Sequence, residues 1–182
     1  MQRDLVEAAR RGDHEAFEVL ATAAGDRLYA IARLILRDTH LAEDAVQEAL
    51  TRAWCELPRL RDPERWDAWL YRLIVNACAD EGRRRRRWSA EVRMIRSEPV
   101  TLDSAASLAD RDQVERGFRR LKPSQRAAVV LRFYLGLSVP EVAEALGVPI
   151  GTAKSRIYYA TEAMRAALEA DADVVVSDGW TA

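Results

Sequence analysis

The chain has 182 residues, 49% of them hydrophobic and 31% charged, with a formal net charge of −1, as expected of one globular domain or two small ones. Eight Gly and six Pro among many Ala, Leu, Arg and Glu point to an all-α protein, and two cysteines are too few for a disulfide framework. No apolar run approaches the ~20 residues of a membrane span, and the polar start MQRDLVEAARRGD carries no signal-peptide core, so a cytoplasmic protein without membrane insertion is expected.

The first predicted helix, around Leu5 to Thr22, holds Leu5, Ala8, Ala9, Ala16, Phe17 and Leu20 at helical spacings and is interrupted near Gly12-Asp13. A second covers about Asp26 to Leu36, with Leu28, Ile31, Ala32 and Ile35 forming one stripe. A third runs from Leu41 to Leu57. Its Ala42, Ala45, Val46, Ala49, Leu50 and Ala53 pack, while Glu43, Asp44, Gln47 and Glu48 make an acidic, hydrogen-bonding strip. The helix macrodipole accounts for Glu43 and Asp44 in the first turn, but not for the continuation through Gln47 and Glu48. Such a face suits a basic partner protein.

Pro63 and Glu64 open a fourth helix, RWDAWLYRLIVNACADEGRRRRRW, from Arg65 to Trp88. Trp66, Leu70, Leu73, Ile74 and Ala77 face inward. Arg72 and Asn76, four residues apart, share an outer face near Trp69 and Asp80. Five arginines follow, Arg83 to Arg87; they circle the helix, and carboxylate partners for all of them are not expected. Guanidinium groups grip phosphates, and aromatic rings with an amide receive unstacked bases, so this helix suits single-stranded or opening DNA. Gly82 precedes the run and should soften its presentation, at a cost of roughly 1 kcal/mol relative to Ala. Cys55 and Cys78 are expected to be buried thiols.

Residues 97–110, SEPVTLDSAASLAD, lose aliphatic periodicity and are expected to be a flexible linker between a first domain, 1–96, and a second, 111–170. The tail, 171–182, with its Val174-Val175-Val176 run, is expected to fray. Charge follows this division: 18 Lys+Arg against 17 Asp+Glu in 1–96, none against three in 97–110, ten against six in 111–170, and none against three in 171–182. The positive surplus therefore sits in the second domain and the arginine run, where it can bind phosphate whatever the overall total.

Within the second domain, Leu137 to Ala160, LSVPEVAEALGVPIGTAKSRIYYA, has the spacing of a helix-turn-helix. Val139 to Leu146 form the first helix, with Val142, Ala143 and Leu146 on one face. Gly147 supplies the left-handed turn. The second helix starts near Ile150, with Ala153, Ile157 and Ala160 inside. Pro149 stands where a Ser or Asp could have capped it, although proline's fixed φ suits a helix start. Thr152, Lys154, Ser155, Arg156 and Tyr159 then face outward, where a recognition helix reaches base edges and phosphates.

The strings LAEDAVQEALTRAW, DAWLYRLIVNACADEGRRRRR and LKPSQRAAVVLRFYLGLSVPEVAEALGVPIGTAKSR, in this order, resemble the extracytoplasmic-function (group 4) sigma factors of bacterial RNA polymerase, from about Ala9 to Leu168. The resemblance implies two helical domains, σ2 and σ4, and a protein that binds core polymerase and directs it to −35 and −10 promoter elements. It implies that Glu43, Asp44, Gln47 and Glu48 dock on the β′ clamp helices and that the helix containing Arg126 to Tyr134 meets the β flap. Arg72 and Asn76 would receive a flipped non-template base of the −10 element, with Trp69 and Tyr71 beside the melted strand and Arg83, Arg84, Arg85, Arg86 and Arg87 on its phosphates. Thr152, Lys154, Ser155, Arg156 and Tyr159 would meet the −35 duplex. An anti-sigma factor is a further implied partner; no cofactor, metal or catalytic residue is. Tyr158 and Tyr159 stand where many members of the family carry a further Arg.

Two other readings account for less. An autonomous regulator explains the helix-turn-helix but neither the acidic strip nor the Arg65 to Trp88 helix. An enzyme acting on nucleic acid finds only His14 and His40 and no Cys/His metal spacing.

Overall fold

The computed structural model describes residues 1–95 and 117–177, and every element among them is helical. α1 spans Gln2–Arg10 and stops at Gly12, whose φ of +97° turns the chain. Asp13 then caps α2, its carboxylate accepting the Ala16 N–H at 3.1 Å. α2 runs unbroken over His14–Leu36, so the two helices expected on either side of Gly25 are one. A single glycine in mid-helix costs only about 1 kcal/mol, and one buried stripe (Ala16, Leu20, Ala24, Leu28, Ile31, Ala32, Ile35) crosses it. The helix ends at Arg37 in the left-handed conformation, where its N–H reaches the Arg33 carbonyl at 2.8 Å.

Asp38 caps α3, Thr39–Glu56, by accepting the Leu41 N–H at 3.1 Å. Ala42, Ala45, Ala49 and Ala53 are all fully buried. These small side chains bring α3 close to α2 and α4, the two helices it packs on. Two single-turn 3₁₀ helices, Leu57–Arg59 and Pro63–Arg65, carry the chain round, and Asp62 caps the second. α4, Trp66–Ile95, then continues through Gly82, so that glycine does not interrupt the helix. Trp66, Leu70, Leu73, Ile74 and Ala77 are buried as their spacing predicts. Cys78 is buried too, and desolvation pushes its thiol up to about 12. Cys55, expected to be buried, is exposed near the end of α3.

The expected linker, 97–110, lies outside the described residues. From the end of a helix at 117–120 the chain enters α5, Pro123–Val129, where the Gln125 side chain accepts the Lys122 N–H at 2.9 Å. α5 loosens into a π-helical turn, Val130–Tyr134, closed by the Leu135 N–H on the Val130 carbonyl at 3.1 Å. α6, Val139–Leu146, opens on a capping box: Glu141 accepts the Ser138 N–H at 2.7 Å and its hydroxyl at 2.5 Å. Those bonds hold the Glu141 carboxyl below its ordinary range. Gly147, at φ +62°, ends the helix as expected. α7, Ile150–Ser177, extends past residue 170, so the start of the tail expected to fray is helical; residues 178–182 lie outside the described ones.

α1 to α4 form one group. α5 and α6 pack on α7, and both also touch the first group, α6 against α4 and α5 against α2. The main apolar core runs through both groups.

Candidate nucleic-acid interface

At 100° per residue, Trp69, Arg72, Asn76, Arg83 and Arg87 lie within an arc of about 60° on α4. Arg72, Asn76, Arg83 and Arg87 are exposed, and Trp69 is half-buried. The stripe is anchored from beneath by aromatic contacts: Trp69 to Trp66 at 5.6 Å between ring centroids, Trp66 to Phe17 at 6.4 Å, and Phe17 to Trp54 at 5.0 Å. An amide, guanidinium groups and one indole edge thus share a single outward line on a rigid helix.

Tyr71 does not belong to that line. It is 6% exposed, with the Arg27 guanidinium 5.3 Å from its ring centroid. One residue before Arg72 is about 100° round the helix, on the side facing α2, and desolvation there pushes the phenol upward. Tyr71 is thus buried in the folded chain, whereas a place beside a melted strand was expected to leave it open.

Within the arginine run, three members have carboxylate partners. Arg83 bonds to Asp80, Arg84 to Glu81 at 2.7 Å, and Arg85 to Asp38 at 2.8 Å. The first two pairs are one helical turn apart and legible in the sequence; the third joins residues 47 apart and is not. Arg87 is exposed, and the side chain of Arg86 lies outside the described residues. Since a guanidinium has five donors, the paired arginines still offer N–H groups to phosphate.

Asp80 also accepts from Arg52 of α3 at 3.1 Å, and Arg52 in turn donates to Glu48 at 2.6 Å. Partial burial works against the Asp80 carboxylate, but its bonds to Arg83 and Arg52 prevail and hold the group below its ordinary value. Glu48 is therefore engaged and half-buried. The acidic strip that remains open on α3 is narrower than expected: Glu43, Asp44 and Gln47, all exposed.

In the helix-turn-helix, Ala153 and Ala160 are buried and Ile157 is half-buried, as expected. Lys154 and Ser155 are exposed, while Thr152 and Arg156 are half-buried at the edges of the outer face. In place of a side-chain cap, the Pro149 carbonyl accepts the N–H groups of Thr152 at 2.9 Å and Ala153 at 3.1 Å. Tyr159 is 63% exposed and Tyr158, not among the expected contact residues, is 61% exposed.

The Arg126 to Tyr134 segment is split. Ala127, Ala128, Val129, Val130 and Leu131 are buried, and Phe133 and Tyr134 are exposed. Phe133 and Tyr134 edge an open apolar pocket of about 590 Å³, with Phe118, Val129, Met164 and, from α2, Leu34 also lining it. Arg126 sits half-buried, its Nε without a partner among the described residues; burial, and then the charge of Arg37, lower its proton affinity. Among the described residues there is no cluster of His, Cys, Asp and Glu able to hold a metal, and no helix long and apolar enough to cross a membrane.

Two family models match the chain: "Sigma-70 region 2" over residues 20–88 and "Sigma-70, region 4" over residues 111–164. The ECF RNA polymerase sigma factor SigM of Mycobacterium tuberculosis is 35% identical over 153 residues, covering 84% of this chain and 77% of that protein. The ECF RNA polymerase sigma factor SigW of Bacillus subtilis is 26% identical over 178 residues, covering 91% and 95%. Among solved structures, RpoE of Bartonella quintana, in complex with the anti-sigma factor NepR, aligns with a TM-score of 0.69 at 26% identity, covering 85% of this chain and 98% of that one. CnrH, in complex with the cytosolic domain of CnrY, aligns with a TM-score of 0.67 at 28% identity, covering 93% and 98%.

Proposed function

The chain belongs to the sigma-70 family, in its extracytoplasmic-function group, and from that membership we propose how its surfaces divide the work of an RNA polymerase sigma factor. Residues 1–96 act as σ2 and residues 111–170 as σ4, with 97–110 joining them and 171–182 as a tail. Glu43, Asp44 and Gln47, with Glu48 positioned through Arg52, dock on the β′ clamp helices of core polymerase. Phe133 and Tyr134, at the rim of the apolar pocket, face the β flap.

Arg72 and Asn76 take a flipped non-template base of the −10 element, Trp69 flanks it, and Arg83 to Arg87 follow the phosphates. Thr152, Lys154, Ser155, Arg156 and Tyr159 meet the −35 duplex. Unstacking a base costs a few kcal/mol, which contacts along the same strand must offset. Opening the duplex is thus a matter of binding, and no covalent step is asked of this chain. The work is placed in the cytoplasm, with core polymerase. An anti-sigma factor that restrains the chain is proposed from the similar sigma factor co-crystallised with one.

The observation that carries this reading is the outward line Trp69–Arg72–Asn76–Arg83–Arg87 on one helix. Transcription in vitro with core polymerase lacking its own specificity subunit, on a library of promoter templates, tests it. Initiation dependent on this chain is expected, with footprints that appear only when core is present. Protection by the chain alone, without initiation on any template, would replace the reading with that of an autonomous regulator.

A further inference from the structure

The outer face of α7 holds two adjacent aromatic side chains that the assignments above use only in part. Tyr158 and Tyr159 are 61% and 63% exposed, and their rings lie 5.5 Å apart at 73°. On the opposite face Ala153, Ala160 and Ala167 are buried, so the tyrosines serve no core. One helical turn before them come Lys154 and Ser155, both exposed, and the first turn of α7 holds no acidic residue. The Glu162 carboxylate, one turn further on, is paired with Arg165 at 3.4 Å. A cationic helix start followed by bare aromatic surface fits a polyanion that also offers apolar groups. A duplex keeps its base faces stacked, so rings entering its major groove meet only the groove floor. The one apolar group exposed there is the thymine 5-methyl.

We propose that Tyr158 and Tyr159 together read thymine methyl groups in the upstream promoter element, which makes Tyr158 a specificity residue alongside Tyr159. The proposal rests on α7 being the recognition helix of a sigma factor. Lys154 and Arg156 hold phosphates on either side, while the angled rings present an edge and a face to methyls on neighbouring base pairs.

The test uses the full chain with core polymerase. Upstream elements are first selected from a randomised duplex pool, and thymine is expected at one or two positions. Those thymines are then replaced by deoxyuridine, which removes the methyl and keeps the base pair. Wild-type occupancy should fall roughly fourfold for each methyl lost. Tyr158→Ala and Tyr159→Ala should bind the thymine template more weakly and be indifferent to the replacement; Tyr158→Phe and Tyr159→Phe should remain sensitive. Initiation by the wild type with no response to the methyl, or a selected pool without thymine, overturns the proposal and leaves the sigma reading intact. Alanine variants that lose core polymerase in a pull-down also overturn it, and assign the aromatic pair to a protein partner. Absence of any initiation removes the recognition-helix reading itself and this proposal with it.

Discussion

Arg65, in the turn that leads into α4, donates through Nη2 to the carboxylate of Glu144 on α6. The bond joins residues 79 apart and ties the helix bearing the outward line to the first helix of the helix-turn-helix. Both side chains are half-exposed, at 57% and 43%, so the pair itself contributes at most about 1 kcal/mol; the apolar contact of α6 on α4 beneath it carries more.

If α4 meets the −10 element and the helix-turn-helix the −35 element, as proposed, that contact must part during promoter binding. Elements centred near −35 and −10 are about 25 base pairs apart, about 85 Å at 3.4 Å per pair. A compact chain of this length has a radius of gyration of about 16 Å. It cannot reach both elements while α6 rests on α4. Glu144→Arg, which sets like charges together, should raise the radius of gyration of the free chain in small-angle scattering, and adding Arg65→Glu should restore it. Identical scattering from all three proteins would show that the ion pair has no part in holding α6 on α4.

The Arg52–Asp80–Arg83 cluster has a signature in acid. Asp80 titrates below its ordinary 3.8 in the folded chain. A carboxylate depressed on folding stabilises the fold above its unfolded pKa, and that contribution disappears as pH falls through the folded value. Asp80→Asn should therefore cost about 1 kcal/mol in urea denaturation at pH 7. The difference from wild type should shrink below about pH 4. A pH-independent difference would mean that Asp80 acts by packing and not by charge.

The helix-turn-helix was legible in the sequence because its signals are local. Gly147 must adopt positive φ, and Ala153 and Ala160 mark the buried face of α7. What could not be read depends on partners distant in sequence. Asp38 meets Arg85 across 47 residues, and Asp80 meets Arg52 across 28. Hence the arginine run has more partners, and the acidic strip fewer open members, than spacing suggested. The surroundings of Tyr71 are of the same kind, since the Arg27 guanidinium over its ring comes from α2. The continuity of α2 shows the reverse case: a buried stripe that crosses Gly25 outweighs the break expected between Thr22 and Asp26.

Neighbouring residues on α4 should separate cleanly by experiment. Tyr71→Ala removes a buried ring and should destabilise the chain by about 3 kcal/mol. Arg72→Ala and Asn76→Ala, both at exposed positions, should change stability by no more than about 0.5 kcal/mol. Their effect should fall on permanganate-reactive open complex, with core binding retained. Wild-type permanganate reactivity in both exposed variants would remove them from the account of strand capture.

The split of the acidic strip leads to the last expectation. Glu48 holds Arg52, so Glu48→Ala frees a guanidinium that Asp80 alone then satisfies, and should cost about 1 kcal/mol of stability. Asp44 and Gln47 are exposed, and no hydrogen bond or ion pair joins the Asp44 side chain to another of the described residues. Asp44→Lys with Gln47→Ala should therefore leave thermal unfolding unchanged and weaken association with core polymerase at least tenfold in a competition binding assay, as reversing a charge at a complementary interface does. Charge complementarity also requires the wild-type interaction to weaken as salt rises, and the variant's to respond less. Equal affinity and equal salt dependence in the two proteins would move the docking surface off α3, leaving the exposed carboxylates as a solvated face.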